Sequence, residues 1–186
     1  MRNFLTMAKI DPTKSAILNV LALVSAANAS VAITPAQVTA GTPTAQTADG
    51  QGRNTSLTLT AVAAQGYTGS QTYTYARRGL NDSVLNPVDS ITETVGATAA
   101  SIVTALATQL GLVASELHLE DPAAPGTPLS GAINNSPATL NLVTQAASLL
   151  YIDGSTQAIT FTWNEPQVDL ATATPVTALS GFDAAS

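Results

Sequence analysis

Cysteine is absent from the 186 residues, which excludes a disulfide framework, a thiol nucleophile and a cysteine-ligated metal. Charge is scarce: Asp, Glu, Lys and Arg make up 10% of the chain, against roughly a quarter in an ordinary soluble domain. There is one histidine, His118, so any imidazole chemistry rests on that residue. No apolar run reaches the roughly 18 residues that a membrane span requires. Lys and Arg do not occur after Arg78.

What fills the chain instead is Ala (33 residues) and Thr (27 residues). Thr suits a half-buried pleated surface, and Ala suits helices and close contacts. Such a surface is poor at keeping copies apart. Residues 1–78 carry six basic and two acidic side chains, a balance of +4, and residues 79–186 carry −10. The basic residues are scattered and the chain is acidic overall, so neither a nucleic-acid nor a membrane partner is expected.

The stretch Lys14–Ser30, KSAILNVLALVSAANAS, has two readings. Basic residues, an apolar centre and Ala27-Asn28-Ala29 suggest an export signal. Asp11-Pro12 in the basic part and Asn19 in the apolar part argue for a retained helix instead. Asp11 is placed as its N-cap and Pro12 as its first residue. Ile17, Val20, Leu21 and Val24 form its apolar face, and Asn28 ends it. These four residues, with Arg77 and Arg78, are the candidate contacts between copies. The charge split adds a head-to-tail arrangement, basic N-terminal regions against acidic C-terminal ones; the alternative is that Arg77 and Arg78 pair with acids such as Glu165 inside the same subunit.

Further along, the Thr-Pro- and Gly-containing residues 33–54 read as a linker or extended arm. Residues 56–62 and 71–78 alternate as the strands of a loose hairpin, and 89–95 as a third strand. Residues 98–111 form a helix that Gly111 ends. A strand with one wet side follows over 114–121, then a Pro-rich loop (121–138) and a weakly alternating strand (139–144). Residues 149–165 read as a hairpin turning at Asp153-Gly154. The expected fold class is α+β: a mostly antiparallel β-sheet with one packed helix, plus a separate N-terminal helix and extended arms. The division is 1–53 (helix and arm), 54–165 (core domain) and 166–186 (tail).

Candidate chemistry is thin. Glu116, His118 and Glu120 recur on one strand face and could attract a divalent ion, although strand spacing holds alternate residues about 7 Å apart. A solvated face explains them equally well. No nucleophile elbow accompanies His118, and Gly50-Gln51-Gly52 does not extend into a phosphate-binding loop. Tyr73, Tyr75, Phe161 and Trp163 fit a sheet core better than a sugar platform. No catalytic, cofactor or metal residue is assigned.

The order of the segments NTSLTLTAVAAQGYTGSQTYTYARRGL, GATAASIVTALATQLGLVASEL and LLYIDGSTQAITFTW resembles uncharacterised virion structural proteins of large-genome tailed bacteriophages, over roughly residues 54–165. The resemblance implies a non-enzymatic head or tail subunit or capsid decoration-type protein. Its partners would be copies of itself and other virion proteins, and its place the virion, assembled in the bacterial host cytoplasm. The alternatives are an exported bacterial surface or pilus-like adhesin, and a carbohydrate-binding module using the Tyr and Trp faces.

Overall fold

The computed structural model describes residues 9–28, 31–84, 88, 90–134 and 138–165; the expected tail 166–186 lies outside them. The fold is α+β, with two four-stranded sheets where a single sheet was expected.

The first sheet is built on β3 (Thr55–Ala61), which pairs antiparallel with β4 (Ser70–Tyr75). On the other side of β3 lie β1 (Val38–Ala40) and β2 (Thr44–Ala45), both antiparallel to it. The expected arm over 33–54 is therefore largely an interrupted edge strand. Its Thr-Pro pair at 42–43 breaks the ladder between β1 and β2, which is what a missing N–H does at a sheet edge. The boundary expected between residues 53 and 54 falls inside this sheet.

The second sheet has the order β5-β8-β7-β6, from β5 (Ser90–Thr94), β8 (Thr156–Asn164), β7 (Thr139–Thr144) and β6 (Leu117–Glu120). β5 runs parallel to β8, and the other pairings are antiparallel. The expected hairpin over 149–165 is corrected here. Asp153-Gly154 does turn, with Ser155 N–H bonded to Ile152 O at 3.2 Å and Gly154 in the left-handed region. The strand before it, however, leaves the sheet, and β8 takes β7 as its hairpin partner. Tyr151 explains the departure: it is fully buried, and its hydroxyl accepts the Val113 N–H at 3.0 Å.

Helix α1 (Ala16–Ala27) starts later than expected. Asp11 does not cap it. The Asp11 carboxylate closes a turn, accepting from Thr13 N–H at 3.0 Å and Thr13 hydroxyl at 2.6 Å, an Asx turn that competes with helix. Asn19 locks that turn to the helix. Its Oδ1 accepts from Asp11 N–H at 2.7 Å, and its Nδ2 donates to Asp11 O and Ser15 O. Asn28 ends the helix as expected, with N–H and Nδ2 both on Val24 O.

The short helix α2 (Leu80–Ser83) follows β4 and buries Leu80 completely. Helix α3 (Ala99–Leu110) has Thr98 as its N-cap, accepting from Ser101 N–H, and Gly111 at φ 73° as its C-cap. Ile102, Val103, Leu106 and Leu110 are its buried face. That face packs with Leu117, Leu119, Leu140, Leu142, Ile159 and Phe161 of the second sheet.

The same hydrophobic cluster takes in Leu57, Leu59 and Tyr75 of the first sheet and Ala16, Val20, Leu21 and Val24 of α1. The N-terminal helix is thus not separate from the core. Each fully buried Leu or Val contributes roughly 1.5–3 kcal/mol, which is ample reason for a helix with this face to fold back onto its own chain.

Candidate functional site

A cluster of polar side chains converges on the loop between β7 and β8, residues 145–155. Tyr75, at the end of β4, donates its hydroxyl to Leu149 O at 2.7 Å. Two residues on, Arg77 is 3% exposed. Its Nε donates to Thr55 Oγ1 at 3.0 Å, and its Nη1 donates to Ser148 O and to Asp153 Oδ1, both at 2.8 Å. Asn54 holds the Arg77 backbone from both sides, through Arg77 O and Arg77 N–H. From the 3₁₀ turn that leads into β6, Glu116 Oε2 accepts from Ser148 hydroxyl at 2.5 Å and Leu149 N–H at 2.7 Å. Ser148 Oγ in turn accepts from Tyr151 N–H at 3.0 Å. A loop that would otherwise bury unpaired backbone is satisfied by side chains from the end of β4 and from the turn that leads into β6.

This seam places the sequence-derived candidates. Arg77, expected at a contact between copies, is buried within the chain and pairs with Asp153 at 2.8 Å. Val20, Leu21 and Val24 are likewise buried in the chain's own core, at 2%, 2% and 5% exposure. Ile17 is half-buried against the same cluster, while Leu18, outside the four-residue face, is 40% exposed. Arg78 is exposed, and its backbone joins the seam through Leu150 O and Ile152 N–H. The Arg77 guanidinium faces inward, onto Thr55, Ser148 and Asp153.

The acidic strand face is also corrected. Glu116 belongs to a 3₁₀ turn, Ala114–Glu116, and its carboxylate is committed to the seam. His118 and Glu120 do sit together on β6, with Nε2 2.7 Å from Oε1, but Glu120 is buried rather than wet. Its Oε2 accepts Gly126 N–H at 2.9 Å, pinning the Pro-rich loop. Burial pushes the Glu120 carboxyl up, yet the bonds from His118 and the Gly126 amide outweigh it and leave the group below its ordinary 4.5. No group of three or more potential metal ligands occurs among the described residues.

Burial raises both seam tyrosines: Tyr75 to about 12, and Tyr151 above its ordinary 10.0. Both are held as neutral hydrogen-bonding groups. Trp163 is half-buried and stacks on Phe161 at 5.1 Å between ring centroids, with the rings 14° apart. It packs against the core rather than forming an open platform.

One groove, about 400 Å³, opens between the 9–14 turn, α1, α2 and the end of β4. Ile10, Leu23, Val84 and Leu150 give it an apolar lining, and Lys9, Lys14, Arg78, Asp11 and Asp82 give it charges of both signs. Lys14 is already paired with Asp11 at 3.0 Å. None of the described helices is long and apolar enough to cross a membrane.

The sequence offers an acid of the same subunit, such as Glu165, as the alternative partner of Arg77; the partner is Asp153, and sequence reasoning missed both that choice and the Asn19 brace. The available signals were single polar residues inside apolar or alternating runs. A search of curated proteins and a search of solved structures each give no match. A family model described as a family of unknown function, DUF7941, matches residues 12–185. That match spans both sheets, all three helices and the seam, and the chain belongs to the DUF7941 family.

Proposed function

We propose that this chain is a non-enzymatic structural subunit that works through contacts with copies of itself, and that it serves in the particle of a large-genome tailed bacteriophage. The observation that carries the reading is the β3–β4 hairpin. Residues 54–76 contain no charged side chain, and the hairpin's outer strand, β4, pairs only with β3 among the described residues. Proteins that must stay apart commonly guard such an edge with lysine, proline or a bulge. Strand β4 reads Ser-Gln-Thr-Tyr-Thr-Tyr and has neither lysine nor proline. The side chains with chemical potential support the same reading from the other direction. Arg77, Glu116, Glu120, Tyr75 and Tyr151 spend their hydrogen bonds on the chain's own backbone and neighbours.

The test is electron microscopy of the purified full chain over a range of concentrations. Rings, tubes or shells support an assembling subunit, and dispersed single particles refute it. The exported-adhesin alternative requires the 14–30 segment to be cut away. Such a cut would remove Val20, Leu21 and Val24 from the core cluster. Intact mass of the protein from its native source separates the two: a chain starting near Ser30 supports export, and one retaining Asn19 supports the structural subunit.

A further inference from the structure

We propose that β4 joins two copies of this chain edge to edge, antiparallel, about a two-fold axis at Thr72, making one eight-stranded sheet from two first sheets. The inference rests on the assembly reading above and names its surface.

The phase of the β3–β4 ladder carries it. Ala61 N–H bonds Gly69 O at 2.9 Å, so along this antiparallel pair Leu59 with Gln71, Leu57 with Tyr73 and Thr55 with Tyr75 are the hydrogen-bonded pairs. Thr58 and Thr72 are then a non-bonded pair, with their backbone groups turned away from each other. Two contacts agree. Thr58 O accepts from Gly41 N–H on the far side of β3 at 2.9 Å. The Thr58 and Thr72 hydroxyls lie 2.8 Å apart, the closeness that a non-bonded pair allows. Ser70, Thr72 and Thr74 therefore present their N–H and C=O groups outward. Among the described residues the only partner recorded for them is the Gln71 side-chain amide, on Thr72 O at 3.1 Å.

A second copy pairs all three outward residues in one register. Antiparallel pairing about Thr72 sets Thr72 against Thr72 and Ser70 against Thr74, so every outward residue meets an outward residue. Three such pairs exchange about six backbone hydrogen bonds. On one face the opposed side chains are Ser and Thr, a favourable cross-strand combination, and on the other face Gln71 of each copy lies opposite Tyr73 of the other. No charge within residues 54–76 of either copy opposes the approach. Charge matching of a different strand would need a charged edge, and this one has none. A strand of six residues spans only about 20 Å, so the contact is weak alone and suited to a subunit repeated many times.

The absence of cysteine makes the register directly testable. In the full chain, Thr72→Cys places two thiols across the axis in a bonded pair, with Cα atoms about 5.5 Å apart, within disulfide reach. Thr74→Cys faces Ser70 of the other copy and lies four residues from its own counterpart. With a short bifunctional thiol reagent, Thr72→Cys should give at least about tenfold more covalent dimer than Thr74→Cys. A mixture of Thr74→Cys and Ser70→Cys should restore it. Thr72→Pro, whose lost N–H faces outward and leaves the β3 ladder intact, should abolish association that Thr72→Val retains.

Equal trapping at 72 and 74, or assembly that tolerates Thr72→Pro, overturns the inference while leaving the assembly reading intact. The edge would then be covered by another segment or another protein. Failure of wild type to associate at any concentration overturns both.

Discussion

Replacing Arg77 with alanine should destabilise the single subunit, whatever its state of assembly. The guanidinium is 3% exposed and serves three acceptors: Thr55 Oγ1, Ser148 O and Asp153 Oδ1. Alanine leaves the first two buried without that donor, and each orphaned buried group costs about 1–3 kcal/mol. The Asp153 side chain is 46% exposed, so water takes over its solvation. Together these costs span about 2–6 kcal/mol, a range that contains the roughly 3–5 kcal/mol usual on removing one member of a buried pair. For a chain of this size, about 3–5 kcal/mol corresponds to roughly 6–20 °C in Tm. Arg77→Lys should recover part of the loss, since an ammonium reaches one acceptor but lacks the planar fork. Asp153→Asn should cost less than Arg77→Ala. The assay is urea unfolding of dilute protein, followed by circular dichroism, with Arg78→Ala as the exposed control. An Arg77→Ala variant within about 0.5 kcal/mol of wild type, the range of an ordinary surface change, would refute the seam as a stabilising element.

Three further outcomes are expected. Leu21→Ala should cost about 2–5 kcal/mol as a core truncation, while Leu18→Ala, one turn away and exposed, should stay within about 0.5 kcal/mol; equal effects in denaturant titrations would mean that α1 is not seated as described. Glu120 titrates below its ordinary 4.5 in the folded chain, so its stabilisation is complete above 4.5 and is lost as pH falls through the folded value. Stability curves of wild type and Glu120→Gln should therefore converge as pH drops below that range, and a constant gap would contradict the buried pairing. Ala147 sits at φ 59°, a left-handed conformation costing a non-glycine residue roughly 1–2 kcal/mol. Ala147→Gly should thus raise stability by about 0.5–1 kcal/mol after glycine's own entropy cost, read as a shift in urea midpoint.

Elements whose partners lie close in sequence were legible from local pattern. The strand expected at 56–62 is Thr55–Ala61, the helix expected at 98–111 is Ala99–Leu110 with Gly111 at its end, and 139–144 is β7. Alternation and the left-handed glycine carry those signals within a few residues. What escaped was set by distant partners. The Thr-Pro segment at 38–45 becomes strand only because β3 offers a free edge. Asp153-Gly154 looks like a hairpin turn, yet Tyr151 prefers the core to β8.

Polar residues were the hardest to read. Asn19 interrupts an apolar run because it braces the Asp11 turn from inside. Arg77 alternates as an exposed strand residue would, yet it points into a loop more than 70 positions away in sequence. The charge split between the chain's halves suggested contacts between subunits. Its best-placed cation instead finds its acid within the same chain. The low charge itself was visible, and its concentration into a 23-residue uncharged hairpin acquires meaning only once β4 is known to be an edge.

The most direct test of an assembling subunit is the mass of the full chain by sedimentation equilibrium across two decades of concentration. Association predicts a weight-average mass that climbs from the 18.8 kDa of one chain toward dimers and larger species, and that stays near one chain for Thr72→Pro. A mass fixed at 18.8 kDa for wild type throughout the range would contradict it.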